Sequence, residues 1–152
     1  MKAKEQLEQI RLNKDFERKI HEIQKGERLQ NHLNDEDYRV RLAIAEQGYY
    51  LAKLQHDKHL LVRMAVYRAS ANTENFVNSK DWQIREDIAR RSLFLEYLFN
   101  DKNDKVRLAV AEEGYNLEFI AKENDEINFP ESINFAKKAL HLINQKKKRN
   151  EI

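Results

Sequence analysis

Apolar and polar positions recur along this chain with a long period laid over a short one. Within Tyr38–Gln47, Val40 and Ile44 are apolar and Ala43 and Ala45 are small. Apolar residues four apart with alanine beside them form one face of a helix that a neighbour can approach closely. Val40-Arg41 then returns as Val62-Arg63, Ile84-Arg85 and Val106-Arg107, 22 residues apart each time (62−40, 84−62, 106−84). Two apolar columns follow, Val40/Val62/Ile84/Val106 and Ile44/Val66/Ile88/Val110. A period in this range marks a repeat architecture.

The punctuation agrees with a helix in each copy. Asp37, His59, Asp81 and Asn103 precede it, mostly residues whose side chains accept from the free N–H groups of a first turn. Gly48, Ser70, Ser92 and Gly114 follow it, and glycine suits the left-handed residue that ends a helix. A second, shorter helix is expected at about Leu51–His56, with inward columns Leu51/Thr73/Leu95/Leu117 and Leu54/Phe76/Leu98/Ile120. A helix that short holds only when packed. Backwards, Gly48 maps to Gly26 and Leu51 to Leu29, which predicts a degenerate copy at Lys14–Lys25 and a separate cap around Leu7–Leu12. Forwards, the pattern dissolves at Asn128-Phe129-Pro130. Pro130 is expected to open a closing helix, Glu131–Gln145, with Ile133, Ala136, Leu140 and Ile143 inward.

The signature D-x-D-x-x-V-R-x-A-I-A-x-x-G-Y-x-L at Asp35–Leu51 resembles the short α-solenoid repeats of the HEAT-like group and the related leucine-rich-repeat variants. The resemblance covers about Asp35–Glu123. It implies an all-α, right-handed solenoid of short helix pairs, about six to seven repeats with degenerate caps. It also implies a ladder in which an Asp before the first helix works with an Arg inside it. Asp35/Arg41, Asp57/Arg63 and Asp101/Arg107 match that ladder; Ser79/Arg85 departs. The expected organisation is one domain over 1–145, with a cap and degenerate repeat at 1–34, clear repeats at 35–123, a cap helix at 124–145 and a basic tail at 146–152. The group implies a binding surface and no single activity.

Composition narrows the functional classes. Charged residues make up 36%, and there are three Gly, one Pro and no Cys, which suits a helical protein without disulfides or thiolate metal sites. No apolar run reaches membrane-spanning length and the charged N-terminus is unlike a signal peptide, so a cytoplasmic location is expected. Charge is uneven. Lys and Arg against Asp and Glu count 8 to 6 over 1–28, 14 to 19 over 29–136, and 6 to 1 over 137–152.

Candidate chemistry is sparse. The five His show no metal-ligand spacing, and no phosphate-binding glycine loop or cysteine nucleophile exists. No catalytic residue, metal, cofactor or small-molecule substrate is therefore expected. The outer columns of the short helices carry aromatics edged by acids: Tyr50, Phe94, Glu96, Tyr97, Glu118 and Phe119. These are the candidate contacts for a protein partner, one that is basic if the acidic rim attracts it. The other reading buries the rings in the fold. Arg85, Arg90, Arg91, Lys146, Lys147, Lys148 and Arg149 are candidate phosphate contacts. Against that, Glu86-Asp87 lie one turn from Arg90-Arg91 and form pairs on a solvated face in the plainer reading. A third reading joins the two: a small acidic protein occupying the basic groove of a nucleic-acid enzyme, as phage-encoded antagonists of host defence such as anti-CRISPR proteins do.

Overall fold

A local backbone device recurs along the chain in the computed structural model, which describes residues 2–149. Gly26, Gly48, Ser92 and Gly114 each end a helix with φ between 56° and 80°. Around Gly48, the Gly48 N–H donates to Ala45 O and the Tyr49 N–H to Ile44 O. That pair of bonds satisfies carbonyls the helix leaves open. The same two bonds close the helices before Gly26, Ser92 and Gly114. Two residues later comes a second left-handed residue, Arg28, Tyr50, Phe94 or Asn116, with φ of 50° to 54°. The two left-handed residues turn the chain sharply enough for a very short helix to begin at once.

The described residues form ten α-helices and one 3-10 helix, in two compact units. The first unit ends at Ala71. It holds α1 (Lys2–Gln24), α2 (Leu29–His32), α3 (Tyr38–Glu46), α4 (Leu51–Leu54) and α5 (Leu60–Ala69). Helix α3 packs between α1 and α5, and α2 and α4 fill the joints. Its core is Ile23, Val40, Ile44, Ala45, Leu54, Val62 and Val66. The second unit begins at Asn72. It holds the 3-10 helix (Thr73–Phe76), α6 (Trp82–Arg90), α7 (Leu95–Leu98), α8 (Asp104–Glu112), α9 (Leu117–Ala121) and α10 (Pro130–Lys148). Helix α8 packs on α6 and on α10 around Ile84, Ile88, Leu98, Val106, Val110, Ile120 and Ile133. Both apolar columns of the repeat are buried, no member more than 2% exposed. Leu54, Leu98 and Ile120 are the buried anchors of α4, α7 and α9. Helices of four or five residues have too few internal hydrogen bonds to offset nucleation, so these anchors hold them.

Three expectations are corrected. The first helix does not divide into a cap and a degenerate repeat; α1 runs unbroken over Lys2–Gln24. Its first half contains no Gly or Pro and consists mostly of good helix formers. It is knit by pairs such as Arg11–Glu8 and Arg18–Glu22. The short helices are four or five residues long, and the third copy is a 3-10 turn, because Ser70 and Asn72 stay at negative φ. The basic tail is not frayed from Lys146: α10 continues to Lys148, where its lysines face the negative end of the helix dipole. The rest of that expected tail, 150–152, lies outside the described residues. At the other end of α10, the Asp104 carboxylate accepts from the Glu131 and Ser132 N–H groups and the Ser132 hydroxyl, so α8 supplies the cap that Phe129 does not.

Gly48 and Arg28 test the turn device in opposite directions. A Cβ on Gly48 meets nothing within 4 Å, so Gly48→Ala should lose about 1 kcal/mol from backbone conformation alone. The exposed Arg28, replaced by Asn, should gain a few tenths of a kcal/mol, since Asn tolerates the left-handed region. Urea denaturation followed by circular dichroism measures both.

Candidate functional site

The arginines of the repeat come first, because their placement decides which cations are available to a partner. Arg41 is 4% exposed. Its Nε and Nη2 donate to the two carboxylate oxygens of Asp57 at 2.7 and 3.0 Å, and Nη1 donates to the Asp35 carbonyl at 2.6 Å. Arg85 repeats this geometry with Asp101 at 2.7 and 2.8 Å and the Ser79 carbonyl at 2.6 Å. Arg107 donates to Glu123, the Asp101 carbonyl and Asn100 Oδ1, and the Phe129 ring covers its guanidinium at 3.7 Å. Lys19, one period before Arg41, donates to Asp35 at 2.7 Å. In every case the carboxylate comes 16 residues later in the chain.

This changes the expected ladder. Arg41 and Arg107 are not bound to the side chains of Asp35 and Asp101. The acid of the same copy offers its backbone carbonyl, and the carboxylate belongs to the next copy. Arg63 likewise donates to the Asp57 carbonyl at 2.6 Å. The acids also hold their own loops. Asp35, Asp57 and Asp101 each accept the N–H two residues on, and the Ser79 hydroxyl oxygen does the same for Asp81. Ser79 therefore takes nothing away from Arg85, because only a carbonyl is required of it. Arg85 is buried against Asp101, which removes it from the candidate phosphate contacts.

Burial pushes the Asp57 carboxyl up, but hydrogen bonds from Arg41 and the His59 N–H outweigh it and hold it below the ordinary value. Glu123 is held low by Arg107 first and by the Asp125 N–H next. Among the other cations, Arg90 is bound by Glu86 of its own helix and by Glu112 of α8 at 2.6 Å. It is thus tied to two carboxylates rather than open to phosphate. Arg91 is the exposed C-cap of α6, and Lys146, Lys147, Lys148 and Arg149 are exposed at the end of α10.

The aromatic candidates fall in both units. Tyr50, in the first, is 39% exposed and opens α4 at φ 53°. In the second, Phe94 opens α7 at φ 54° and is half-buried, with the Tyr97 ring 6.2 Å away. Tyr97 is 69% exposed, and Phe119 of α9 is 41% exposed. Glu96 and Glu118 are exposed beside them. Phe99 joins the group, edge-on to Phe119 at 5.0 Å and 6.2 Å from Tyr115. Phe99 and Tyr115 were not expected as site residues. The available signal was the Gly-Tyr pair, Gly48-Tyr49 and Gly114-Tyr115, which places a tyrosine on the turn itself. Two ring groups therefore lie in one unit, Phe94 with Tyr97 on α7, and Phe99, at the end of α7, with Tyr115 and with Phe119 of α9. Glu96 and Glu118 are the exposed chain neighbours of Tyr97 and Phe119. Tyr50 belongs to the other unit.

Among the described residues, no group of three or more His, Asp or Glu could hold a metal ion. No helix among them is long and apolar enough to cross a membrane. No protein-family model, curated protein or solved structure matches the chain.

The ladder makes a quantitative forecast. Asp57→Ala leaves a buried guanidinium without its carboxylate and should cost about 3 kcal/mol or more of unfolding free energy. Glu118→Ala, on the surface, should change stability by less than about 0.5 kcal/mol. The acid side has a definite sign. Asp57 and Glu123 sit below their unfolded values of about 4, so their stabilisation is complete at neutral pH and is lost as pH falls through the lower folded values. Melting temperature measured from pH 7 to pH 2 should fall below about pH 4, and less steeply in Asp57→Asn.

Proposed function

We propose that this chain is a HEAT-like, right-handed α-solenoid of short helix pairs. In this reading it works in the cytoplasm as a non-catalytic module that binds a protein partner through the α7 and α9 surface. The observation that carries the reading is the exposure of Tyr97 and Phe119 beside Glu96 and Glu118. Exposed rings that are already seated against neighbouring rings lose little freedom on binding, and aromatics dominate interface energetics for that reason. Their acidic rim selects a basic partner. The nucleic-acid reading has less support, since Arg85 is buried and Arg90 is bound by two carboxylates.

Affinity capture from the native host tests this. Wild-type chain should retain a partner that Tyr97→Ala with Phe119→Ala loses by about tenfold or more, given that hot-spot aromatics are worth 2 kcal/mol or above. Equal recovery of the partner by both proteins would remove the α7 and α9 surface as the interface. A gel shift with duplex DNA at low salt should show no retardation.

A further inference from the structure

The chain shows twice how it holds a guanidinium between a ring and a carboxylate. Arg39 lies over the Phe16 ring at 4.4 Å while Asp37 grips its Nε and Nη2 at 2.6 to 3.1 Å. Arg107 lies under the Phe129 ring at 3.7 Å with Glu123 at 3.1 Å. The ring face attracts the cation through its quadrupole, and the carboxylate fixes the guanidinium edge. The α7 and α9 surface offers the same two components with no cation supplied. Glu96 is followed by Tyr97, and one period later Glu118 is followed by Phe119. Neither Glu96 nor Glu118 has a hydrogen-bond or ion-pair partner among the described residues.

Charge on this stretch points the same way. Over 92–123, Asp and Glu number seven (96, 101, 104, 112, 113, 118, 123) and Lys and Arg four (102, 105, 107, 122). Three of the seven acids are engaged in ion pairs, Asp101 by Arg85, Glu112 by Arg90 and Glu123 by Arg107. So are two of the four bases, Arg107 by Glu123 and Lys105 by Glu131, which leaves Glu96, Asp104, Glu113 and Glu118 against Lys102 and Lys122. The surface is therefore acidic and aromatic together. A phosphate backbone is repelled by such a surface, a neutral apolar helix leaves its carboxylates unpaired, and a lysine gains the charge but not the planar stacking.

We propose that the Glu96-Tyr97 and Glu118-Phe119 pairs are two equivalent subsites for arginine side chains of a basic segment on the partner. Each guanidinium stacks on the ring and donates along its N–H edge to the neighbouring carboxylate. This deepens the interface reading above and rests on it.

The test uses the whole chain, labelled with nitrogen-15, and two synthetic peptides, one of alternating glycine and arginine and one with lysine in place of arginine. Amide shifts should concentrate at Leu95–Leu98 and Leu117–Ala121, and the arginine peptide should bind about fivefold tighter than its lysine counterpart. Tyr97→Leu with Phe119→Leu keeps the acidic charge and should erase the preference. Glu96→Gln with Glu118→Gln should weaken both peptides. Should the double leucine variant lose its native spectrum, Tyr97→Leu alone, at the most exposed ring, should still reduce the preference. Equal affinities for the two peptides, a preference that survives the leucine changes, or shifts centred elsewhere would overturn the arginine assignment. Equal affinities together with partner capture lost in Tyr97→Ala with Phe119→Ala would sink the assignment while leaving the interface in place.

Discussion

A buried guanidinium tied at both ends is the interaction on which this structure depends. Arg41, Arg85 and Arg107 are each 4% exposed, and a charge so placed is tolerable only if its donors are satisfied. Each one reaches backwards to a carbonyl six residues earlier and forwards to a carboxylate 16 residues later. The carbonyl belongs to the loop that leads into the arginine's own helix. The carboxylate belongs to the loop after the next short helix. One side chain therefore fixes the spacing of two successive loops, and the apolar columns between them are held in register. Lys19, within α1, supplies only the forward half of this tie, to the Asp35 carboxylate. Phe129 ends the series by standing where the next arginine would be and covering the last one.

The short helices depend on that arrangement rather than contributing to it. A helix of four residues has almost no intrinsic stability. Here each of α4, α7 and α9 is opened by a left-handed residue that costs roughly 1 kcal/mol unless it is Gly or Asn. Tyr50 and Phe94 occupy such positions, and Asn116 occupies the third. What offsets the strain is burial of Leu54, Leu98 and Ile120, each worth up to about 2 to 3 kcal/mol. The consequence for function is positional. With the inward side of α7 taken up by Leu98 and in part by Leu95, Glu96 and Tyr97 are left on the surface. Leu117 and Ile120 do the same for Glu118 and Phe119 on α9.

Much of this was legible in the residues. The period of 22, the two buried columns, the Asp37 and Asn103 caps and proline at the start of α10 all follow from local chemistry, because they depend on neighbours within a few residues. Asp81, expected as a cap on the same grounds, makes no side-chain cap bond, whereas the less usual His59 does. The candidate surface was half legible. Tyr97 and Phe119 stood out as aromatics in outward columns, whereas Phe99 and Tyr115 joined them only through contacts between α7, α9 and the turn after α8. That Phe94 carries a left-handed backbone was hidden, since aromatic residues give no signal for that region.

What the sequence determined by itself was the recurring helix with its apolar face and its terminating turn, since hydrophobic periodicity, capping and glycine are short-range effects. What only the tertiary structure decided was which acid serves which arginine. Asp35 and Arg41 lie six apart and look like partners, yet the guanidinium bonds the Asp35 carbonyl and takes its carboxylate from Asp57. Partners 16 residues apart, with a short helix and two turns between them, are set by how one helix pair packs on the next. The same packing buried Arg85, tied Arg90 to Glu112 on α8 and left Glu96 and Glu118 without a cation.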